Sequence, residues 1–275
     1  DIEIGAGLSG TDDMNFTATN SSTVPVIATI IVTPVFENGG VTNEGDSVSF
    51  TITVNPSAQV DQPVDQVVCN GDSTSIVEFT TQNAGGATTY TWTNDTPSIG
   101  LSDSGSGNIL AFTATNSSTA PIVATITVTP TSEINDITCP GEDKTFTITV
   151  NPTAQVDKPT DQVVCNGADV SVLFSTQNTL GSTSYSWVSD IEIGAGLSGN
   201  DNMNFTATNS STEPILATIT VTPEFENDGK VCVGEDKTFT ITVNPTAQFD
   251  QPLDQVVCNG DSTSIVEFTT QNAGG

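Results

Sequence analysis

Phe146-Thr-Ile-Thr-Val-Asn-Pro-Thr-Ala-Gln-Val-Asp-Lys-Pro-Thr-Asp-Gln-Val-Val-Cys165-Asn-Gly167 is the stretch from which the chain can be read. It returns almost unchanged from Phe239 to Gly260, and an earlier version runs from Phe50 to Gly71. Its first part alternates apolar and Thr residues at period two, the pattern of a half-buried strand. A short Pro-bearing connector follows, then a second apolar run ending in Cys-Asn-Gly. The stretch reads as the last strand of one domain, a tight linker and the first strand of the next. A junction that repeats implies a series of like modules.

Working outward, residues 1–86 match residues 190–275 at a constant offset. A shorter period lies inside the long one. Residues 61–156 form one expected module and residues 157–249 a second. Residues 1–60 read as the rear part of a module and residues 250–275 as the front of another. Because the sequence opens and stops within a repeat, an internal segment of a longer polypeptide is expected, with any targeting signal outside it.

Within a module every segment reads as strand. After Cys69-Asn-Gly come Ser75–Thr80, an Asn83–Gly86 turn, the aromatic strand Tyr90-Thr-Trp92, a Gly/Ser-rich loop over 100–107, and Leu110–Ala114. Asn116–Thr119 turns the chain, Pro121 opens Ala124–Val128, and a variable loop leads to Thr145–Val150. Pro is tolerated as a first strand residue. About seven short strands in about 95 residues predict an all-β fold, a tandem of immunoglobulin-like sandwiches in an elongated array. Alternation places Val77, Phe79, Trp92, Leu110, Phe112, Ile126, Val128, Phe146 and Ile148 inside. In the next module it places Phe174, Trp187, Met203, Phe205, Ile219, Val221, Phe239 and Ile241 inside, with the intervening Thr residues facing water.

The 275 residues hold 33 Asp plus Glu against 4 Lys plus Arg and no His, a net charge of −29. Such a surface repels nucleic acid and anionic membranes, which require a basic face. Abundant Thr, Ser, Asn, Val and Ile with few long helix formers suit an extracellular-type β protein. No apolar run is long enough for a membrane-spanning helix.

The five cysteines fall at two module positions. Cys69, Cys165 and Cys258 close the first apolar run, while Cys139 and Cys232 precede the last strand. Since each full module holds one of each, the expected bridges are Cys69–Cys139 and Cys165–Cys232. Each would close a loop of about 70 residues, worth roughly 4 kcal/mol in the chain-entropy picture. Asn43 takes the second position in residues 1–60, and Cys258 would need a partner beyond Gly275. The alternative is buried free thiols. With no CxxC and no His, thiol-based metal binding is not indicated.

Catalysis is not expected, because acid–base or nucleophilic machinery would rest on carboxylates alone. Glu142-Asp143 and Glu235-Asp236 read as solvated turns. Hard oxygen ligands for calcium could come from Asp201 with Asn202, or from Asp61 and Asp65, though no EF-hand spacing occurs. No other cofactor is indicated. Asn-X-Ser/Thr triplets at Asn20, Asn94, Asn116 and Asn209 read as chance in so Thr- and Ser-rich a chain.

Asp-Gln-Val-Val-Cys-Asn-Gly, Tyr-Thr-Trp-Thr-Asn-Asp, Phe-Thr-Ala-Thr-Asn-Ser-Ser-Thr, Ala-Thr-Ile-Thr-Val-Thr-Pro and Phe-Thr-Ile-Thr-Val-Asn-Pro, in that order, resemble the PKD-like, immunoglobulin-like repeats of very large Bacteroidetes surface proteins. These include gliding-motility adhesins of the SprB type. The resemblance implies type IX secretion and display on the bacterial cell surface. It implies a non-enzymatic stalk or filament segment in adhesion, gliding or biofilm formation. The implied partners are neighbouring repeats, lateral copies in a filament, and surface polysaccharide bound by parts outside this chain. It also suggests O-glycans at Asp-Ser/Thr-X triplets, here Ser47, Ser73 and Ser262. The rival readings are a carbohydrate-binding repeat, which would need an exposed aromatic platform, and the spacer of a secreted enzyme.

Overall fold

Paired left-handed residues shape each copy. A computed structural model describes residues 3–11 and 13–272, so the outer ends of the first and last expected segments lie outside the described residues. Asn135 and Asp136 both have positive φ, at 52° and 63°, as do Asp228 with Gly229 and Gly39 with Gly40. Two consecutive positive φ values are the mark of a type I′ hairpin, which Asn, Asp and Gly tolerate best. Three equivalent hairpins result. They join β2 (Val35–Asn38) to β3 (Val41–Glu44), and the ends of longer strands in the two later copies.

The first described strands are β1 (Val26–Val32) and β4 (Val48–Val54), which pair antiparallel. Ile27 and Ile31 on β1, Phe36 on β2 and Phe50 on β4 are exposed. In the copies that follow, further strands complete the layer.

The next copy contains β5 (Gln66–Cys69), β6 (Ala87–Asn94), β7 (Ser104–Ser106), β8 (Ile122–Ile134), β9 (Ile137–Pro140) and β10 (Lys144–Asn151). They form one sheet in the order β5-β10-β8-β6-β7, with β9 on β8. The third copy repeats this order with β11 (Gln162–Cys165), β18 (Lys237–Asn244), β16 (Ile215–Asn227), β13 (Ser182–Ser189) and β14 (Ser198–Asn200), and β17 (Lys230–Val233) lies on β16. A small second sheet, β12 (Asp169–Val172) on β15 (Met203–Thr206), faces it. Between the layers lie Val170, Val172, Trp187, Met203, Ile219, Val221, Phe239 and Ile241. The fold is therefore all-β, a tandem of immunoglobulin-like β-sandwiches.

The long strands β8 and β16 correct the reading of a short strand followed by a variable loop. Each has 13 residues and contains a proline, Pro130 or Pro223. β16 pairs with β18 over Ile215–Val221 and with β17 over Glu224–Asn227, so Pro223 sits where the partner changes. A residue without an N–H fits a strand where the ladder is interrupted.

The core expectations hold with one correction. Leu110 is 71% exposed, and its neighbour Ile109 is buried instead; Phe112 and Phe205 are half-buried. Gly71–Phe79 has one residue more than its counterpart Gly167–Phe174, and Asn108–Phe112 one more than Asn202–Phe205. The two extra residues fall on facing strands. The third copy keeps the continuous β12–β15 ladder, whereas here only bridges at Ser73–Thr113 and Val77–Ile109 remain. Ile76 and Leu110 are turned out to solvent. The intervening Thr residues are mostly half-buried, and Thr149 is buried.

By contact density the chain divides into two compact units. One comprises Asp1–Thr115 with Val123–Val150, and the other Asn116–Ile122 with Asn151–Gly275.

Candidate functional site: the inter-module junction

The connectors are built into the module that follows. Along 56–60, Pro56, Ala58 and Val60 are buried while Ser57 and Gln59 are exposed. Pro152, Ala154 and Val156 repeat this, and Val156 belongs to the third copy's core. The linker is thus an extended segment with one buried face, which restricts its bending more than a free tether would.

Two features fix it. The first is close backbone approach: Ala58 bridges Gly141. A Cβ on Gly141 would lie 2.0 Å from the Ala58 carbonyl oxygen, and one on Gly234 would lie 2.0 Å from that of Ala154. Only glycine fits at either position.

The second is a Thr-Gln-Asn triplet that recurs at 81–83, 176–178 and 270–272. Asn178 Nδ2 donates to Thr153 O in the linker at 3.2 Å and, more weakly, to Thr119 O in the preceding loop at 3.4 Å. Its Oδ1 accepts from Gln155 N at 2.7 Å, and Thr179 N donates to Thr119 O at 2.9 Å. Asn272 repeats these bonds to Thr246 O, Thr212 O and Gln248 N. Asn83 donates to Ser57 O at 3.1 Å, and Ala84 N to Thr23 O at 2.8 Å. The glutamine anchors the other side. Gln82, Gln177 and Gln271 donate to Asp61, Asp157 and Asp250, whose carboxylates also accept the hydroxyls of Thr80, Ser175 and Thr269. The hydroxyl and amide bonds hold the Asp250 carboxyl below its ordinary range.

A further asparagine ties each linker's start to the next hairpin. Asn55 Nδ2 donates to Ile134 O at 3.2 Å. Asn151 Nδ2 donates to Asn227 O at 3.1 Å, and Asn227 Nδ2 donates back to Asn151 Oδ1 at 3.0 Å.

The asparagines of the Asn-X-Ser/Thr triplets are structural as well. Asn116 and Asn209 are buried. Asn209 donates to Val243 O at 2.7 Å and Glu213 O at 2.8 Å, and accepts from Ser211. Asn20 makes the same set to Val54 O, Val24 O and Ser22. Asn94 Nδ2 reaches Leu101 O at 3.0 Å. Sequence reading missed these roles and the Thr-Gln-Asn staple; the recurrence of Asn-Ser-Ser and of Thr-Gln-Asn was the available signal.

Three of the four expected calcium ligands accept hydrogen bonds from the protein. Asp61 is bonded as above, Asp65 Oδ1 accepts Thr147 N at 2.6 Å, and Asn202 Oδ1 accepts Phe174 N at 2.7 Å. Among the described residues no three of His, Cys, Asp or Glu gather closely enough to hold a metal. Ser47, Ser73 and Ser262 are exposed, and Ser47 Oγ lies 2.7 Å from Thr33 Oγ1. Trp92 and Trp187 are buried, each lying against a glycine, Gly105 or Gly199.

The expected Cys69–Cys139 and Cys165–Cys232 bridges do not form. Cys69 and Cys232 are disulfide-bonded, whereas Cys139, Cys165 and Cys258 carry free thiols. Strand register gives the reason. Cys165 is level with Asn244, Val243 pairs with Ile215, and Cys232 pairs with Phe225. From Ile215 to Phe225 along β16 is roughly 33 Å at strand rise, against about 7 Å at most between the Cα atoms of a disulfide. The two cysteine positions of a module lie at opposite ends of it.

No family model and no curated protein matches the chain. Among solved structures it is similar to three domains of the bacteriophage RB49 outer capsid protein Hoc, at 10% identity and a TM-score of 0.44, covering 85% of this chain and 93% of that one. It is also similar to mouse cadherin-23 repeats EC22–24, at 12% identity and a TM-score of 0.34, covering 85% and 79%. The titin I9–I11 tandem matches at 12% identity and a TM-score of 0.29, covering 71% and 68%. These likenesses concern the fold alone.

Proposed function

We propose that the chain is a spacer segment of an extracellular stalk or filament, in the manner of the bacterial surface adhesins its repeats resemble, and that it performs no catalysis. The observation that carries this reading is the junction, where the same asparagine staple recurs at Asn83, Asn178 and Asn272. Hydrogen bonds repeated at each joint are what a spacer needs in order to hold its modules at a set angle. The buried tryptophans favour a spacer over a carbohydrate-binding repeat, which would present its aromatic rings to ligand. Exposed Ser47, Ser73 and Ser262 are open to O-glycosylation, and intact-mass spectrometry of the natively produced protein would detect it.

Small-angle scattering on chains lengthened one module at a time tests the proposal. The maximum dimension should grow by a constant increment of roughly 40 Å per module, set by strand length and rise. Growth that levels off into a globule would overturn it.

A further inference from the structure

Asn-Gly occurs four times, at Asn38, Asn70, Asn166 and Asn259. Such a pair can react with itself. The glycine nitrogen, with no Cβ to crowd its approach, attacks the asparagine side-chain carbonyl. Ammonia leaves as a five-membered succinimide closes, and water opens the ring to aspartate or isoaspartate. The attack needs two freedoms. The glycine N–H must be able to give up its proton, and the asparagine amide must be able to turn onto it.

Three of the four sites are the same turn. Asp72, Ala168 and Asp261 N donate to the carbonyls of Cys69, Cys165 and Cys258 at 3.0–3.1 Å, and Gly71, Gly167 and Gly260 have φ between 83° and 95°. In two of them the glycine N–H is committed elsewhere: Gly71 N donates to Ala114 O and Gly167 N to Ala207 O, each at 2.8 Å. The Asn166 side chain is also held at both ends, accepting from Asn209 N at 2.8 Å and donating to Thr246 Oγ1 at 2.9 Å. Among the described residues Gly260 N has no such acceptor. Asn38 has a different setting, before the Gly39-Gly40 pair of the β2–β3 hairpin. The first residue of a two-residue loop has an N–H that the ladder does not use. Asn38 is exposed, its amide has no hydrogen-bond partner among the described residues, and the space beside the Gly39 α-carbon is open. Its counterpart Asn227 is tied to Asn151 and is followed by Asp228 rather than glycine.

We propose that Asn38 is a site of spontaneous deamidation, and that in the Cys-Asn-Gly turns the bond from the glycine N–H to the facing strand shuts the same reaction off. One water is consumed and one ammonia released per event. The product adds a negative charge to the hairpin, and in its isoaspartate form lengthens the backbone by one atom beside the Asn38–Val41 pair. The inference does not rest on the stalk reading.

Incubation of the full chain in water enriched in heavy oxygen tests it. After reduction and alkylation, a protease that cuts after glutamate leaves the four asparagines on separate peptides, and tandem mass spectrometry locates the incorporated oxygen. In the folded chain Asn38 should convert roughly tenfold faster than Asn70 and Asn166, or more, because the locked sites must first open locally. In urea, where the locks are gone, the rates should converge. Equal rates at Asn38 and Asn166 in the folded chain would overturn the proposal. Gly39→Ala should slow Asn38 and leave Asn259 unchanged; an unaltered rate at Asn38 would refute attack by the Gly39 nitrogen. In a further arm the chain is lengthened after Gly275 by a copy of residues 87–156, which supplies the counterpart of Ala114. Asn259 should then slow to the rate of Asn70, and an Asn259 that stays as reactive as before would refute the lock.

Discussion

Asn209 shows how much of the junction rests on single amides. It is 3% exposed and holds the end of β18 through Val243 O. Asn209→Ala leaves that buried carbonyl without its donor, which costs about 1–3 kcal/mol. Urea unfolding should show a lower midpoint, and Ser210→Ala beside it should not. Gly234→Ala acts differently. Its methyl would meet the Ala154 carbonyl at 2.0 Å, so the linker must move off the module. Limited proteolysis should then cut near Thr153 in the variant and spare the parent. Neither role could be read from residue type, since Asn in a Thr- and Ser-rich chain looks like an ordinary turn residue. What the sequence did expose was recurrence, and several of the carbonyls that the asparagine amides meet lie 25 to 79 residues away.

At the scale of elements, alternation located the long strands because one face of each packs into the core. It failed at Leu110 because the extra residue there is matched by another on the facing strand, so the phase shifts without a local signal. The paired lengths predict a coupling. Deleting Leu110 alone should destabilise the module, and deleting Ile76 as well should restore some of the loss, an interaction that a double-mutant cycle on urea midpoints would reveal. The first strand shows a second element-level effect. Asp161 accepts Thr240 N at 2.8 Å, and this bond, aided by the charge of Lys158, holds its carboxyl below the ordinary range. Asp95 is held low in the same way by Thr125 N and the Thr96 hydroxyl. A depressed folded value means that the unfolded chain takes up the proton first. The stabilisation is complete above the ordinary carboxylate range, and it is lost as pH falls through that range to the folded value. Asp161→Ala should therefore be less stable at neutral pH, with a shallower decline on the acid side. Urea midpoints at successive pH values would show both.

At the scale of the whole molecule, the composition pointed to an all-β, strongly acidic chain, and the repeats pointed to the strand order that recurs in it. The course of the disulfides stayed hidden, because counting one cysteine of each kind per module says nothing about which end each occupies; that depends on the parallel pairing of first and last strands. A net charge of −29 with four basic residues leaves most carboxylates without a cationic partner. Added salt screens this self-repulsion. The thermal midpoint should rise between low and physiological ionic strength, and calorimetry in sodium chloride would measure the rise.

The parallel pairing of Gln162–Cys165 with Ile241–Asn244 also decides how a module answers to tension. A pull enters at the start of the first strand and leaves at the end of the last, so it drives the two past each other lengthwise. Every hydrogen bond between them is then loaded at once, whereas an antiparallel pair pulled at its open end would unzip rung by rung. Single-molecule stretching should record high, evenly spaced rupture peaks, and proline at Val164, which breaks that pairing, should lower them.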